Sequence, residues 1–99
     1  MENLQITLLP EDAIDPANIT SPLEGCLVAT ALQHQTGRPW RVGYAFAVDG
    51  DDFFNGSYSV YNVPKKLQAV IVRWYSGRLR TKDFTTYTLT PSKYFEPSA

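Results

Sequence analysis

Residues 23–36, LEGCLVATALQHQT, form the stretch that decides the fold. Apolar side chains surround its middle turns almost completely, at Leu23, Cys26, Leu27, Val28, Ala29, Ala31 and Leu32. A surface helix is apolar along one stripe only, so this segment is predicted to be a helix packed deep against a sheet. The start of the helix is predicted at Ser21 as N-cap, with Pro22 at the first helical position and Glu24 three residues after the cap. Gly37 predicts its end, as a left-handed C-terminal residue.

The clearest strand pattern follows at once, in residues 40–48, WRVGYAFAV. One face would carry Trp40, Val42, Tyr44, Phe46 and Val48, and the other would carry Arg41, Gly43, Ala45 and Ala47. This alternation predicts a single strand with one buried face. Weaker alternation predicts further strands in LQITLLP (4–10), SYSVYNV (57–63) and DFTTYTLT (83–90).

A second helix is predicted from Pro64 to a stop at Gly77. Its apolar residues recur at helical spacing, namely Leu67, Val70, Ile71, Trp74 and Tyr75. The β-branched residues would favour a strand, but alternation would place Ile71 and Arg73 on the same face. The helical period therefore explains the segment better.

The order of elements is β-α-β-β-α-β, which predicts an α+β fold with two helices packed on one face of a four-stranded antiparallel or mixed sheet. A ferredoxin-like arrangement is one candidate. Residues 1–90 are expected to form a single domain, and residues 91–99 a C-terminal tail. Residues 10–22 contain three prolines and three acids and are predicted to be a long loop, a feature that is often functional in a compact domain.

The net charge is only −1, but the charges are segregated along the chain. Residues 1–24 carry no base and five acids, Glu2, Glu11, Asp12, Asp15 and Glu24. Residues 65–82 carry no acid and six cations, Lys65, Lys66, Arg73, Arg78, Arg80 and Lys82. The two segments could attract each other, within one fold or between two copies, or the six cations could bind an acidic partner. Both explanations stay open, and the six cations are the candidate partner-binding residues.

Nothing in the sequence predicts an active site. A Gly-rich phosphate loop, a Gly-x-Ser-x-Gly elbow and metal-ligand spacings are lacking, so no catalytic residue, metal or cofactor is expected. Cys26 and His34 are the only residues of their types, and about 12 Å of helical rise would separate them, too far for a catalytic pair. DGDDFFNG (49–56) lacks the Gly and Glu of a calcium loop.

VGYAFAVD (42–49) resembles the base-stacking strand of RNA-recognition motifs at Gly43, Tyr44, Ala45 and Phe46. In that family the segment is the third strand, whereas here it follows Gly37 too closely for a second strand to fit between. The sequence therefore predicts that Tyr44 and Phe46 lie against the helices. Both rings exposed beside Arg41 would instead favour nucleic-acid binding.

The segments CLVATAL, WRVG, YNVPKKLQAVIVRWYSG and FTTYTL, within residues 21–90, resemble a pattern found in small uncharacterised bacteriophage and prophage proteins. The resemblance implies a phage-type origin and no particular activity. Aromatic residues make up 13% of the chain, more than a core of this size needs. With this aromatic excess and the split charge, the resemblance predicts a non-enzymatic protein-protein interaction module, a phage-encoded modulator or inhibitor of a host protein that acts as a homodimer. The alternative is nucleic-acid binding through residues 65–82. The start of the sequence and the absence of long apolar runs predict a cytoplasmic location without membrane contact.

Overall fold

Two helices and five strands make up the computed structural model, which describes residues 2–19, 21, 26–50 and 59–92. In chain order these elements are β1 (Leu4–Thr7), α1 (Leu27–Thr36), β2 (Trp40–Val42), β3 (Phe46–Asp49), β4 (Ser59–Asn62), α2 (Lys65–Tyr75) and β5 (Thr86–Pro91). Short 3₁₀ turns lie at Pro10–Asp12, Pro16–Asn18 and Thr81–Asp83. The predicted α+β class is confirmed.

The strands form one antiparallel sheet in the order β1-β5-β4-β3-β2. β5 joins the two sides of the sheet. The first residues of β5 pair with β1, and its last residues, Thr90 and Pro91, pair with β4. Pro91 therefore belongs to the sheet, and the buried Ser92 donates its N–H to the carbonyl of Val60 at 2.9 Å. The rest of the predicted tail, 93–99, lies outside the described residues.

The prediction of a four-stranded sheet is wrong, because residues 40–48 fold back on themselves as a hairpin. Val42 pairs with Ala47, and the Gly43 N–H donates to the Phe46 carbonyl at 2.9 Å, which leaves Tyr44 and Ala45 as a two-residue turn. Two-residue hairpins usually require positive φ, supplied by Gly or Asn. Tyr44 and Ala45 both have negative φ, so the usual sequence signal of this turn is missing.

The turn also changes which residues face the core. Trp40, Val42 and Ala47 are buried on the inner face of the sheet, whereas Phe46 lies on the outer face and is half-buried. Tyr44 stands at the tip of the hairpin and is 57% exposed. The prediction that Tyr44 and Phe46 both lie against the helices is therefore wrong.

α1 begins later than predicted. Cys26 has an extended backbone and is the N-cap, with its Sγ accepting the Ala29 N–H at 3.4 Å. A continuous helix from Ser21 is excluded by that backbone, and the predicted cap residues Pro22 and Glu24 lie outside the described residues. The predicted end is confirmed, since Gly37 takes a left-handed conformation with φ 69°.

The body of α1 is enclosed on every side. All six residues from Leu27 to Leu32 are buried, and six helical residues cover about one and two-thirds turns. All of them except Thr30 belong to one hydrophobic cluster with residues of α2 and the inner face of the sheet. The sheet curls around the helix, so that α1 contacts both edge strands, β1 and β2.

Two glutamines of α1 bind the edges of this curled sheet. Gln33 Nε2 donates to the Trp40 carbonyl of β2 at 3.2 Å. On β1, Gln35 accepts the Thr7 N–H at 3.1 Å and donates to the Thr7 carbonyl at 2.7 Å, as a neighbouring strand would. Exposed strand edges promote self-pairing, so the glutamines protect both edges.

α2 is amphipathic, as predicted, with Leu67, Val70, Ile71 and Trp74 buried. Pro64 is its N-cap, and Gly77 follows its end with φ 69°. Tyr75 departs from the prediction, because half of its surface is exposed.

The Gln35 contacts can be tested by replacing this residue with Ala. We expect Gln35→Ala to lower the free energy of unfolding by about 1 to 2 kcal/mol, because the backbone groups of Thr7 lose both partners. Urea denaturation would measure the change. Gln5→Ala on the same strand is the control, and a loss as large there would contradict the assigned role of Gln35.

Candidate interaction surface

Four of the six predicted cations come together. Lys66 and Arg73 of α2 face Arg80 and Lys82 across an open groove of about 450 Å³. The groove, called here the basic groove, is also lined by Ala69, Asp83, Thr85 and Tyr87. Lys65 and Arg78 are exposed and do not line it.

Asp83 organises the arginines of the basic groove. It is only 2% exposed, and it accepts from Arg73 Nε at 3.0 Å and Arg73 Nη2 at 2.6 Å. It also accepts the Arg80 backbone N–H at 2.9 Å and Arg80 Nη2 at 3.3 Å. The Arg73 guanidinium, supported by the hydrogen bonds from Arg80, holds the pKa of this carboxyl well below its usual range.

The sequence prediction does not include Asp83, because the run of cations without an acid ends one residue earlier, at Lys82. The sequence does contain a signal for Asp83. An acid three residues after Arg80 has the spacing at which a side chain accepts the backbone N–H at the start of a helical turn. Four cations and one carboxylate leave the basic groove with a net charge of +3. Arg73 and Arg80 are held by Asp83, whereas Lys66 and Lys82 form no ion pair in the part of the chain that the structure describes.

An apolar pocket lies beside the other flank of α2. Its volume is about 190 Å³, and it is lined by Cys26, Val42, Gly43, Tyr44, Ile71, Val72 and Tyr75. Val72 and Tyr75 are each 50% exposed, and the hairpin tip adds Tyr44. We call it the tyrosine pocket. It exists because the hairpin that was not predicted carries Tyr44 out of the core and towards α2.

The two sites flank one exposed face of the same helix. At 3.6 residues per turn, Lys66 and Arg73 lie on one side of α2, and the centre of the pair Val72 and Tyr75 lies about 140° further round the helix. Ala69 lies between them on the outer surface. We call the basic groove, the tyrosine pocket and Ala69 between them the α2 surface. It combines cations with half-exposed apolar side chains.

A larger depression of about 560 Å³ lies at the end of α1, lined by residues that include Gln33, Arg38 and Trp40. Arg38 is paired with Asp49 at 2.8 Å and lies over the Trp40 ring at 6.0 Å. The Arg38 cation is therefore already engaged by Asp49.

Cys26 lies at the base of the tyrosine pocket and is buried. Burial raises the pKa of its thiol, the opposite of what a nucleophilic cysteine requires. His34 is engaged elsewhere, with Nδ1 at 2.7 Å from Asp12 Oδ1. Among the described residues, no cluster of three or more His, Cys, Asp or Glu side chains could hold a metal ion.

Comparison of the chain with protein-family models, with curated proteins and with solved structures found no significant match. Within the described ranges, neither helix has the length and apolar character needed to cross a membrane.

Asp83 should make stability depend on pH. The pKa of Asp83 is lower in the folded than in the unfolded state, so its ionised carboxylate stabilises the fold above a pH of about 4, the pKa of an unfolded Asp. This contribution is lost as the pH falls below that value. We expect Asp83→Asn to lower the free energy of unfolding by about 2 kcal/mol at neutral pH, because two arginines lose a charged acceptor. Denaturation from pH 7 down to pH 3 should show the difference shrinking with acid.

Glu2→Gln is the matched control for Asp83→Asn, because it neutralises an exposed carboxylate. We expect little change in its stability at any pH. An Asp83→Asn variant with wild-type stability at neutral pH would contradict the role assigned to Asp83.

The Cys26 thiol should be protected from reagents. At pH 8 we expect a disulfide reagent to react with the native protein at least about tenfold more slowly than with the protein in denaturant, because burial removes both access and thiolate. Absorbance of the released thiol measures both rates. Equal rates would show that the base of the tyrosine pocket is open.

Proposed function

We propose that this protein is a non-enzymatic protein-protein interaction module that binds its partner through the α2 surface. The observation that carries the proposal is the grouping of three large side chains, Tyr44, Val72 and Tyr75, each half exposed or more, around one pocket. Tyrosines in such positions are frequent anchors of binding energy. An exposed apolar cluster costs solubility, which favours a role in binding over chance.

The basic groove supports a partner with an acidic surface. Lys66 and Lys82 supply the charges that are not neutralised within the described chain. Arg73 donates to Asp83 through both Nε and Nη2. These two donors are therefore not available to bind a phosphate in the usual bidentate manner. Lysines act as point charges and steer a partner with several carboxylates.

Nucleic-acid binding is the alternative, favoured by the net charge of the basic groove. Proteins that bind single strands place stacking rings and cations along one track. Here the exposed rings of Tyr44 and Tyr75 lie across α2 from Lys66 and Lys82. A folded protein partner can span both flanks of a helix, so it fits the α2 surface better.

We further propose, on the resemblance of residues 21–90 to phage and prophage proteins, that the chain is a phage-encoded modulator or inhibitor of a host protein. It would act in the host cytoplasm. An interaction surface suits that role, because an inhibitor needs only to cover its target.

The test compares capture from a bacterial lysate by immobilised wild-type protein and three variants. Lys66→Glu/Lys82→Glu removes the basic groove, Tyr44→Ala/Tyr75→Ala removes the tyrosine pocket, and Arg78→Glu is the control for an exposed cation outside both sites. We expect quantitative mass spectrometry to show a protein retained by wild type and Arg78→Glu. Its capture should fall about tenfold or more in either surface variant, the loss of one or two anchoring contacts.

Thermal unfolding should confirm that all three variants fold, since the changed side chains are exposed. The same captured proteins in all four samples would overturn the proposal. A gel shift with mixed DNA and RNA tests the alternative. Retention at low salt that is lost at moderate salt and in Lys66→Glu/Lys82→Glu would favour nucleic acid.

A further inference from the structure

As far as the structure describes them, the acids at the start of the chain and the cations of residues 65–82 do not pair with each other. Within the described residues no ion pair joins residues 2–19 to residues 65–82. Asp12 is paired with His34, and the paired arginines use Asp83. Ion pairing between the described parts of the two segments therefore does not account for the segregation, and the exposed charges among them are available to another molecule.

The acidic loop, residues 9–15, has the properties that the α2 surface requires of a partner. Leu9 is 41% and Ile14 is 45% exposed, although both are large apolar side chains. Glu11 and Asp15 are exposed on the same short loop. Two apolar anchors with acids beside them complement a surface that combines the tyrosine pocket with the basic groove.

The acidic loop is held in a fixed shape, which lowers the entropic cost of docking it. Asp12 binds His34 with one carboxylate oxygen at 2.7 Å and accepts the Leu9 N–H with the other at 3.3 Å. Trp74 Nε1 donates to the Ile14 carbonyl at 2.8 Å. Burial of Asp12 leaves the exposed side chains of the loop free to make contacts outside the chain.

The bond from Trp74 also places the acidic loop beside α2. A protomer thus presents an acidic, apolar segment and a basic, apolar helix face next to each other. A two-fold axis can then bring two copies together so that the same contact is made twice, which closes the assembly.

We propose that the protein forms a homodimer in which the acidic loop of each protomer packs on the α2 surface of its partner. Leu9 and Ile14 supply the apolar anchors for the tyrosine pocket. Glu11 meets the lysines of the basic groove. This inference goes beyond the proposed function, because it concerns a second copy of the chain and not a foreign partner.

Charge exchange between the two elements tests the dimer by sedimentation velocity. One variant carries Glu11→Lys, and the other carries Lys66→Glu/Lys82→Glu. Each alone places like charges across both contacts and should weaken dimerisation about tenfold or more. An equimolar mixture of the two restores opposite charges at both contacts, so a heterodimer should form where neither variant dimerises alone.

Glu2→Lys is the control, because Glu2 is an exposed acid outside the acidic loop, and it should dimerise like wild type. Added salt should weaken the wild-type dimer. The inference is overturned by a wild-type protein that stays monomeric at hundreds of micromolar, by a dimer that both variants leave intact, or by a mixture that stays monomeric. Those results would leave lysate capture by the α2 surface unaffected, so the two proposals fail separately.

Discussion

The burial of α1 on all sides is the constraint on which the rest of this structure depends. A helix with apolar residues on one stripe can lie on a flat sheet, but Leu27 to Leu32 must be covered in every direction. The sheet meets this demand by curling, with α2 and the Pro10–Asp12 turn covering what the strands do not. Curling brings both sheet edges to α1, where Gln33 and Gln35 bind the backbone groups that a flat sheet would leave open.

Because α1 fills the interior, α2 closes the core with one face only and keeps the other in solvent. Its buried face of Leu67, Val70, Ile71 and Trp74 sets the direction of the exposed face. Asp83 fixes the far wall of the basic groove, since burying a carboxylate requires compensating cations and Arg73 and Arg80 are the nearest. The functional surface is thus a consequence of how the core is completed.

Local sequence patterns predicted the features that depend only on a single helix or strand and on which of its faces is buried. The end of α1 at Gly37, the amphipathic face of α2 and the closing strand all follow from local spacing. The hairpin could not be predicted, because unbroken alternation through 40–48 is compatible with one strand. In addition, Tyr44 and Ala45 stand at the turn positions, where Gly or Asn would mark a hairpin. The ion pairs of Asp83 and the contact of His34 with Asp12 depend on which elements become neighbours, and charge counts along the chain do not contain that information.

The two proposals together imply competition for one surface. In the proposed dimer each α2 surface is covered by the acidic loop of the other protomer, so a foreign partner must displace that loop. The apparent affinity for the partner is then the intrinsic affinity multiplied by the fraction of free surface, which falls as the protein concentration rises. A partner that binds only the monomer would in turn pull the dimer apart by mass action. Self-association would therefore protect an exposed apolar surface until a better ligand is present, without any change in the fold of either protomer.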